Sequence, residues 1–247
     1  MTRRAQSETL GFVLVFAIMV SAIGLVYAGG FSGLADVRDV ERVNNAQRAF
    51  EVLADNMEDI TQRNAPSRAT EIKLAGASLE IAEPIEIEVN VTESAGGAVM
   101  FSKAYDVRPI VFDADTGTEI VYVQGAVIRQ QGENGIVRHE STLLFNDSRT
   151  VIPIVQTRLD GTSSVGGSTT VLIRADHSVT RIDHTNTSES YTVWFNVTSS
   201  RAGTWHDYLE GKEDVDDCLL ASDTASCKID NTERVYLIAV KIDLALA

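Results

Sequence analysis

The sequence predicts an α+β protein, a long N-terminal transmembrane helix followed by a mainly β, sandwich-like domain. Three observations lead there. Residues 9–35 carry no charged side chain; apolar residues then recur at alternating steps of four and three from Ala46 to Ile60; and beyond Pro66 the apolar period becomes two. A helix returns to the same face about every 3.6 residues and a strand every two, so the change of period marks a change of element.

The uncharged run is 27 residues long, from Thr9 to Ala35, and Leu10 to Ala28 contains eleven Leu, Ile, Val or Phe. About 20 apolar residues suffice for a helix to cross the hydrocarbon core. Those side chains favour insertion by about 3 to 7 kcal/mol in sum, with no Asp, Lys or Arg inside to oppose it. Arg3 and Arg4 precede the run and the acidic bulk follows it. The positive-inside rule then leaves the N-terminus cytoplasmic and everything beyond Ala35 extracellular, a single pass through the cell membrane. A conventional secretory signal has a shorter apolar core closed by a small-residue cleavage site. Here the apolar run continues as helix.

That continuation is read from Val37, Val40 and Val43, then Ala46, Phe50, Leu53, Met57 and Ile60, with Arg48, Glu51, Asp55 and Glu58 on the opposite side. The pattern is that of a helix packing one stripe against a partner. Proline disfavours helix at the residue before it, so Asn64-Ala-Pro66 ends the element. A single helix of about 55 residues, roughly 80 Å long, is expected. Two partners for the outer stripe stand open: the chain's own β-domain, or other subunits.

Arg4-Ala5-Gln6-Ser7, directly before the apolar run, resembles the class III signal of archaeal type IV pilins and archaellins. In that family a prepilin peptidase cuts after Gly or Ala, which implies a cut after Ala5. The resemblance implies a leader at 1–5, a transmembrane helix at 6–35, a helical stalk at 36–64 and an extracellular β-domain at 65–247. The longer run Arg-Arg-Ala-Gln-Ser-Glu-Thr-Leu-Gly-Phe, the acidic composition and the stretch Ser199-Ser-Arg-Ala-Gly-Thr-Trp205 are similar to pilin-like exported proteins of halophilic archaea. Cleavage removes Arg3 and Arg4 and leaves the helix attached, as a filament subunit requires. Glu8 stands two places nearer the cut than the glutamate of bacterial pilins, which leaves its role open. The implied function is non-enzymatic: a surface protein whose helix packs with other pilin-like subunits, with the membrane and the peptidase as further partners. The alternative is an anchored extracellular binding domain that does not polymerise.

Beyond Pro66, Ile85, Ile87, Val89 and Val91 alternate with Glu86, Glu88 and Asn90, and Tyr191, Val193, Phe195 and Val197 alternate with Thr192, Trp194, Asn196 and Thr198. Each reads as a half-buried strand. Similar runs lie at 72–81, 119–123, 126–131, 136–145, 151–159, 169–175 and 235–244, and Gly132-Glu-Asn-Gly135 is a hairpin turn signal. Many short strands with Gly and Asn turns argue for a sandwich. Ser199 to Leu209 is the exception, a short helix with Ser as its expected cap. The run at 235–244 is the most apolar and is expected to be a central strand.

The two cysteines, Cys218 and Cys227, have eight residues between them. In an extracellular domain they are expected to form a disulfide, worth roughly 2 to 3 kcal/mol because the loop is short. Asn90, Asn146, Asn186 and Asn196 each begin an N-x-Ser/Thr triplet, the acceptor signal for N-glycosylation.

Net charge is −14, and with five Lys among 21 basic residues the other 16 are Arg. Such a surface repels nucleic acid and stays hydrated at very high salt. No nucleophile elbow, zinc-binding His pair, phosphate loop or dinucleotide fingerprint occurs, so no catalytic residue and no cofactor is expected. His139, His177, His184 and His206 share no ligand spacing, and Asp113-Ala-Asp115-Thr-Gly117 and Glu213-Asp-Val-Asp-Asp217 read as acidic turns rather than metal sites.

Overall fold

The computed structural model describes residues 3–186 and 190–247, with side chains at 10–27, 37–185 and 190–247. An N-terminal apolar helix is followed by a mainly β domain built from several sheets. Helix α1 spans Arg3–Arg63 and is divided between two compact units, one ending at Arg42 and one spanning Val43–Ala247.

In the first unit the stretch Leu10–Tyr27 is long and apolar enough to cross a membrane. The second unit contains the end of α1 and all other elements. After Asn64, which takes a left-handed φ of 55°, the Ala65 amide donates to the Asp59 carbonyl at 3.0 Å and the helix stops. There follow β1 (Ser67–Lys73), β2 (Ser78–Ile81), β3 (Ile85–Glu93), β4 (Val99–Val107), β5 (Ile110–Asp113), β6 (Thr118–Val123), β7 (Ala126–Gln131), β8 (Asn134–His139), β9 (Thr150–Leu159), β10 (Ser164–Gly166), β11 (Thr170–Asn186), β12 (Tyr191–Thr198), helix α2 (Ala202–Glu210), β13 (Asp217–Ala221), β14 (Thr224–Thr232) and β15 (Val235–Leu246).

They form three sheets, in the orders β1-β11-β15-β9, β10-β2-β5-β6-β7-β8 and β13-β14-β12-β3-β4. Among the described residues every strand pairing is antiparallel except β15 with β9. The most apolar strand, β15, lies inside its sheet between β11 and β9. The run at 72–81, read as one strand, is two strands in different sheets: Ala75 (φ 50°) and Gly76 (φ 97°) turn the chain between them. The expected turn at Gly132 joins β7 to β8, with Gln131 opposite Asn134 and Gly132 at φ 59°.

Two cores replace the single interior of a two-sheet sandwich. The first gathers Val89, Val91, Val193, Phe195, Trp205 and Leu209 with Val121 and Ile128. The second gathers Phe50, Leu53, Met57 and Ile60 of α1 with Ile72, Phe112, Tyr122 and Val127. Strands β6 and β7 separate them, since alternate residues along each point into opposite cores. Strand β15 serves both, with Val235, Leu237 and Ala239 in the first and Val240, Ile242 and Leu244 in the second. A strand buried on both faces reads as a continuous apolar run, which is why Ile120-Val-Tyr-Val123 carries no polar alternation.

The compact unit therefore begins at Val43 and not at residue 65. Residues 43–60 supply one wall of a core, and burying side chains the size of Phe50, Leu53, Met57 and Ile60 contributes about 1.5 to 3 kcal/mol each. Helix α2 also differs from expectation at its start. Its N-cap is Arg201, without a side-chain cap, while Ser199 accepts the Arg201 amide at 3.1 Å in a turn just ahead. Strands β4, β13 and β14 had no clear signature: β4 is half-exposed along most of its length, and the Cys-bearing hairpin is rich in Ser, Asp and Thr.

The buried turn between β6 and β7 ties two sheets together. Gln124 (φ 52°) and Gly125 (φ 78°) both take left-handed backbone, which matches the twist of a two-residue hairpin. The Gln124 amide donates to the Pro153 carbonyl at 2.6 Å and accepts the Val155 amide at 3.0 Å. These backbone groups belong to β9, an edge strand of its sheet. An unpaired buried edge costs free energy for each orphaned group, and Gln124 supplies the missing partners.

Candidate functional site

The apolar helix is the first feature that demands a partner. Leu10, Phe12, Leu14, Phe16, Ile18 and Ile23 are all at least 60 % exposed, as are Leu25, Val26 and Tyr27. Exposure runs right round the helix, since every residue from Leu10 to Tyr27 is exposed. Phe12 and Phe16, one turn apart, stack with ring centroids 6.3 Å apart. A patch of this size cannot remain in water; it calls for lipid or for other apolar helices. The processing residues Arg4, Ala5, Gln6 and Ser7 lie outside the residues whose side chains are described.

The outer stripe has its partner within the second unit. Val43, Ala46, Phe50, Leu53, Met57 and Ile60 are buried against strands of that unit. On the helix flank, Asn56 donates to Thr70 at 2.9 Å, Arg129 donates to Asn44 at 3.2 Å, and Asp59 receives Arg68 at 2.8 Å together with Arg63. The two guanidinium groups hold the Asp59 carboxyl below its ordinary pKa.

Cys218 and Cys227 are bonded to each other and lie directly opposite across the β13–β14 hairpin, with Cα atoms 4.2 Å apart. Cys227 is fully buried in the first core, so the bridge fastens an edge hairpin to that core.

The four sequons divide. Asn146 is exposed, and its side-chain oxygen accepts the Ser148 amide (3.0 Å) and hydroxyl (2.7 Å) in a tight turn. Asn90 and Asn196 project from the outer face of the third sheet, half-buried. Asn196 is committed to neighbours: its amide donates to Glu88 at 3.1 Å and its oxygen accepts the Ser226 hydroxyl at 2.6 Å. The side chain of Asn186 lies outside the described residues.

The histidines are dispersed. His177 lies 2.9 Å from the Thr180 hydroxyl, His184 lies tilted against the Phe101 ring at 5.1 Å between centroids, and His206 bonds to Asp207 at 3.0 Å, a contact that raises its pKa. In the turn after β5, Asp113 accepts the amide of Asp115 at 2.8 Å, and nearby Glu119 is paired with Arg201. Asp216 accepts the amide of Asp230 at 2.6 Å. Among the described residues no group of three His, Cys, Asp or Glu side chains converges in a way that could hold a metal ion.

Sequence reasoning missed a polar cluster between sheets. Asp183 on β11 accepts Lys103 (2.7 Å) and the Tyr105 hydroxyl (2.8 Å), both from β4, with Arg181 at 3.4 Å. Burial and the adjacent carboxylate both push the Tyr105 hydroxyl well above its ordinary pKa. The hydroxyl therefore stays protonated and donating, a structural rather than an acid–base arrangement.

A family described as "Family of unknown function (DUF7289)" matches residues 4–245 of the chain, from ahead of the apolar helix to the end of β15. No curated protein and no solved structure matches it.

Proposed function

This chain belongs to DUF7289, a family of unknown function, and from that premise we propose that it is a non-enzymatic, pilin-like surface protein. Its N-terminal helix sits in the membrane and packs with other pilin-like subunits after a prepilin peptidase removes residues 1–5. Its β-domain is displayed outside the cell.

One observation carries the reading: an apolar helix segment exposed on every side, Leu10–Tyr27, in the same chain as a β-domain that buries its apolar side chains in two cores together with residues 43–60. The sequence before the segment, Arg4-Ala5-Gln6-Ser7, supplies the processing signal, and the positive charge there sets the orientation. The Cys218–Cys227 bridge suits an oxidising exterior. N-terminal mass spectrometry of the protein taken from membranes tests the proposal. Gln6 as first residue is expected; an intact Met1 leader, or a mature chain lacking the apolar helix, rejects it.

A second reading, an anchored domain that never polymerises, is favoured by the fate of the outer stripe. Val43 to Ile60 is consumed by the chain's own domain, so cohesion between copies falls to the exposed span alone. Cross-linking within membranes separates the two: a ladder of multimers supports the filament subunit, and a monomer alone supports the anchor.

A further inference from the structure

The outer face of the third sheet places a sequon beside an aromatic platform. Asn90 on β3 lies directly opposite Trp194 on β12, and on its other side opposite Ser102 on β4. Side chains directly opposite on antiparallel strands have Cβ atoms about 5 Å apart, so Asn90 and Trp194 are side-chain neighbours on this face. Trp194 is half-buried and points away from the core that holds Val193 and Phe195. Lys228 lies on its far side, 5.9 Å from the ring centroid. Asn90 forms no side-chain hydrogen bond with any described residue, while Asn196 on the same face has both ends of its amide engaged.

These facts distinguish two sequons that the sequence leaves equal. An acceptor must release its amide nitrogen to react. Asn196 would first give up Glu88 and Ser226; the Asn90 side chain has no such contacts to release, and within its triplet the side-chain contact is that of the Thr92 hydroxyl with the Thr192 carbonyl at 3.5 Å. Thr92 completes the triplet on the same face two residues on, as strand geometry requires. An indole beside an attached sugar also offers a face to the apolar C–H side of the ring while hydroxyls meet Ser102.

We propose that Asn90 is an N-glycosylation site and that Trp194 is the platform on which the attached saccharide rests. The inference rests on the display of the β-domain outside the cell. In the transfer step, the Asn90 Nδ2 attacks the anomeric carbon of a lipid-phosphate-linked saccharide. A C–N bond forms, the C–O bond to phosphate breaks, the phosphate leaves with the electron pair, and one amide proton passes to the transferase's base. Asn196 remains unmodified.

The test uses full-length protein from its native membranes, alkylated at lysis, with glycopeptide mass spectrometry. A saccharide mass on the Asn90 peptide is expected, lost in Asn90→Gln and equally in Thr92→Val, which keeps the asparagine and a β-branched neighbour. Asn196→Gln leaves it in place. The chain has two tryptophans and Trp205 is fully buried, so acrylamide quenching reports Trp194; it should rise in Asn90→Gln and Thr92→Val alike. An unmodified Asn90, a saccharide that persists in Thr92→Val, or unchanged quenching overturns the proposal. If Asn90 is unmodified while Cys218 and Cys227 are oxidised and Gln6 is the first residue, this inference alone fails. If both thiols are free, the export reading fails with it.

Discussion

Lys103 and Asp183 join the edge of one sheet to the long strand of another, Nζ to Oδ2 at 2.7 Å, with the Asp183 side chain only 10 % exposed. Burial raises the Asp183 pKa, but the hydrogen bonds from Lys103 and Tyr105 outweigh it and leave the carboxyl below its ordinary value. A depressed carboxyl stabilises the fold above its unfolded pKa of about 3.9, and that contribution is lost as pH falls through the folded value. Asp183→Asn should lose about 1 to 3 kcal/mol at neutral pH. In denaturant titrations its deficit should shrink in acid; a constant deficit contradicts the assignment.

His184 carries the opposite lesson. Among the described residues its buried Nε2 has no hydrogen-bond partner, and burial lowers its pKa. Its immediate surroundings include the ring of Phe101 and, next in sequence, the Asp183 cluster with Lys103 and Arg181. The unfolded state takes up a proton near pH 6.5 and the folded state does so lower, so stability is complete above about pH 6.5 and declines below it. His184→Phe removes the proton uptake, and its melting temperature should depend less on pH between about 7.5 and about 5.5. Parallel profiles for variant and parent reject this.

Phe50 is fully buried in the second core. Phe50→Ala should destabilise the β-domain by about 3 to 5 kcal/mol. A chain starting at residue 43 should give a cooperative melt by circular dichroism, and one starting at residue 66 should not, because it lacks Phe50, Leu53, Met57 and Ile60.

Reduction of Cys218–Cys227 should cost at most about 2 to 3 kcal/mol, the loop being short. The domain should stay folded, with amide exchange accelerating chiefly in β13 and β14. Global unfolding on reduction would show that the bridge does more than fasten the hairpin.

The exposed span is tested by charge. Leu14→Arg combined with Ile18→Arg adds about 2.5 to 3.5 kcal/mol each to the cost of insertion. Together they cancel most of the gain from the apolar residues, and the protein should leave the carbonate-resistant membrane fraction. The conservative pair Leu14→Ile and Ile18→Leu should stay in it.

Where one local period decides an element, the element was legible from the sequence. The uncharged run at 9–35 reads as a helix because no strand of that length exists in a small domain, and β3 and β12 read as strands because Ile87, Val89, Phe195 and Val197 alternate with polar residues. Their pairing as neighbours, Val89 opposite Phe195, was not legible. The Lys103–Asp183 contact joins residues 80 apart, and no local pattern marks either one. The Asn90 and Asn196 sequons are alike as triplets; the Glu88 and Ser226 contacts, made by Asn196, and the Trp194 opposite Asn90 separate them.

By itself the sequence determined the apolar span, its flanking charge, the helical stripe that follows and the existence of a β-rich domain, because hydrophobic period and charge are properties of neighbouring residues. The tertiary structure decided what the stripe packs on, which strands meet, and which polar groups are left with a free hand. Those depend on chain segments far apart in sequence, brought together by the burial of both faces of β6, β7 and β15.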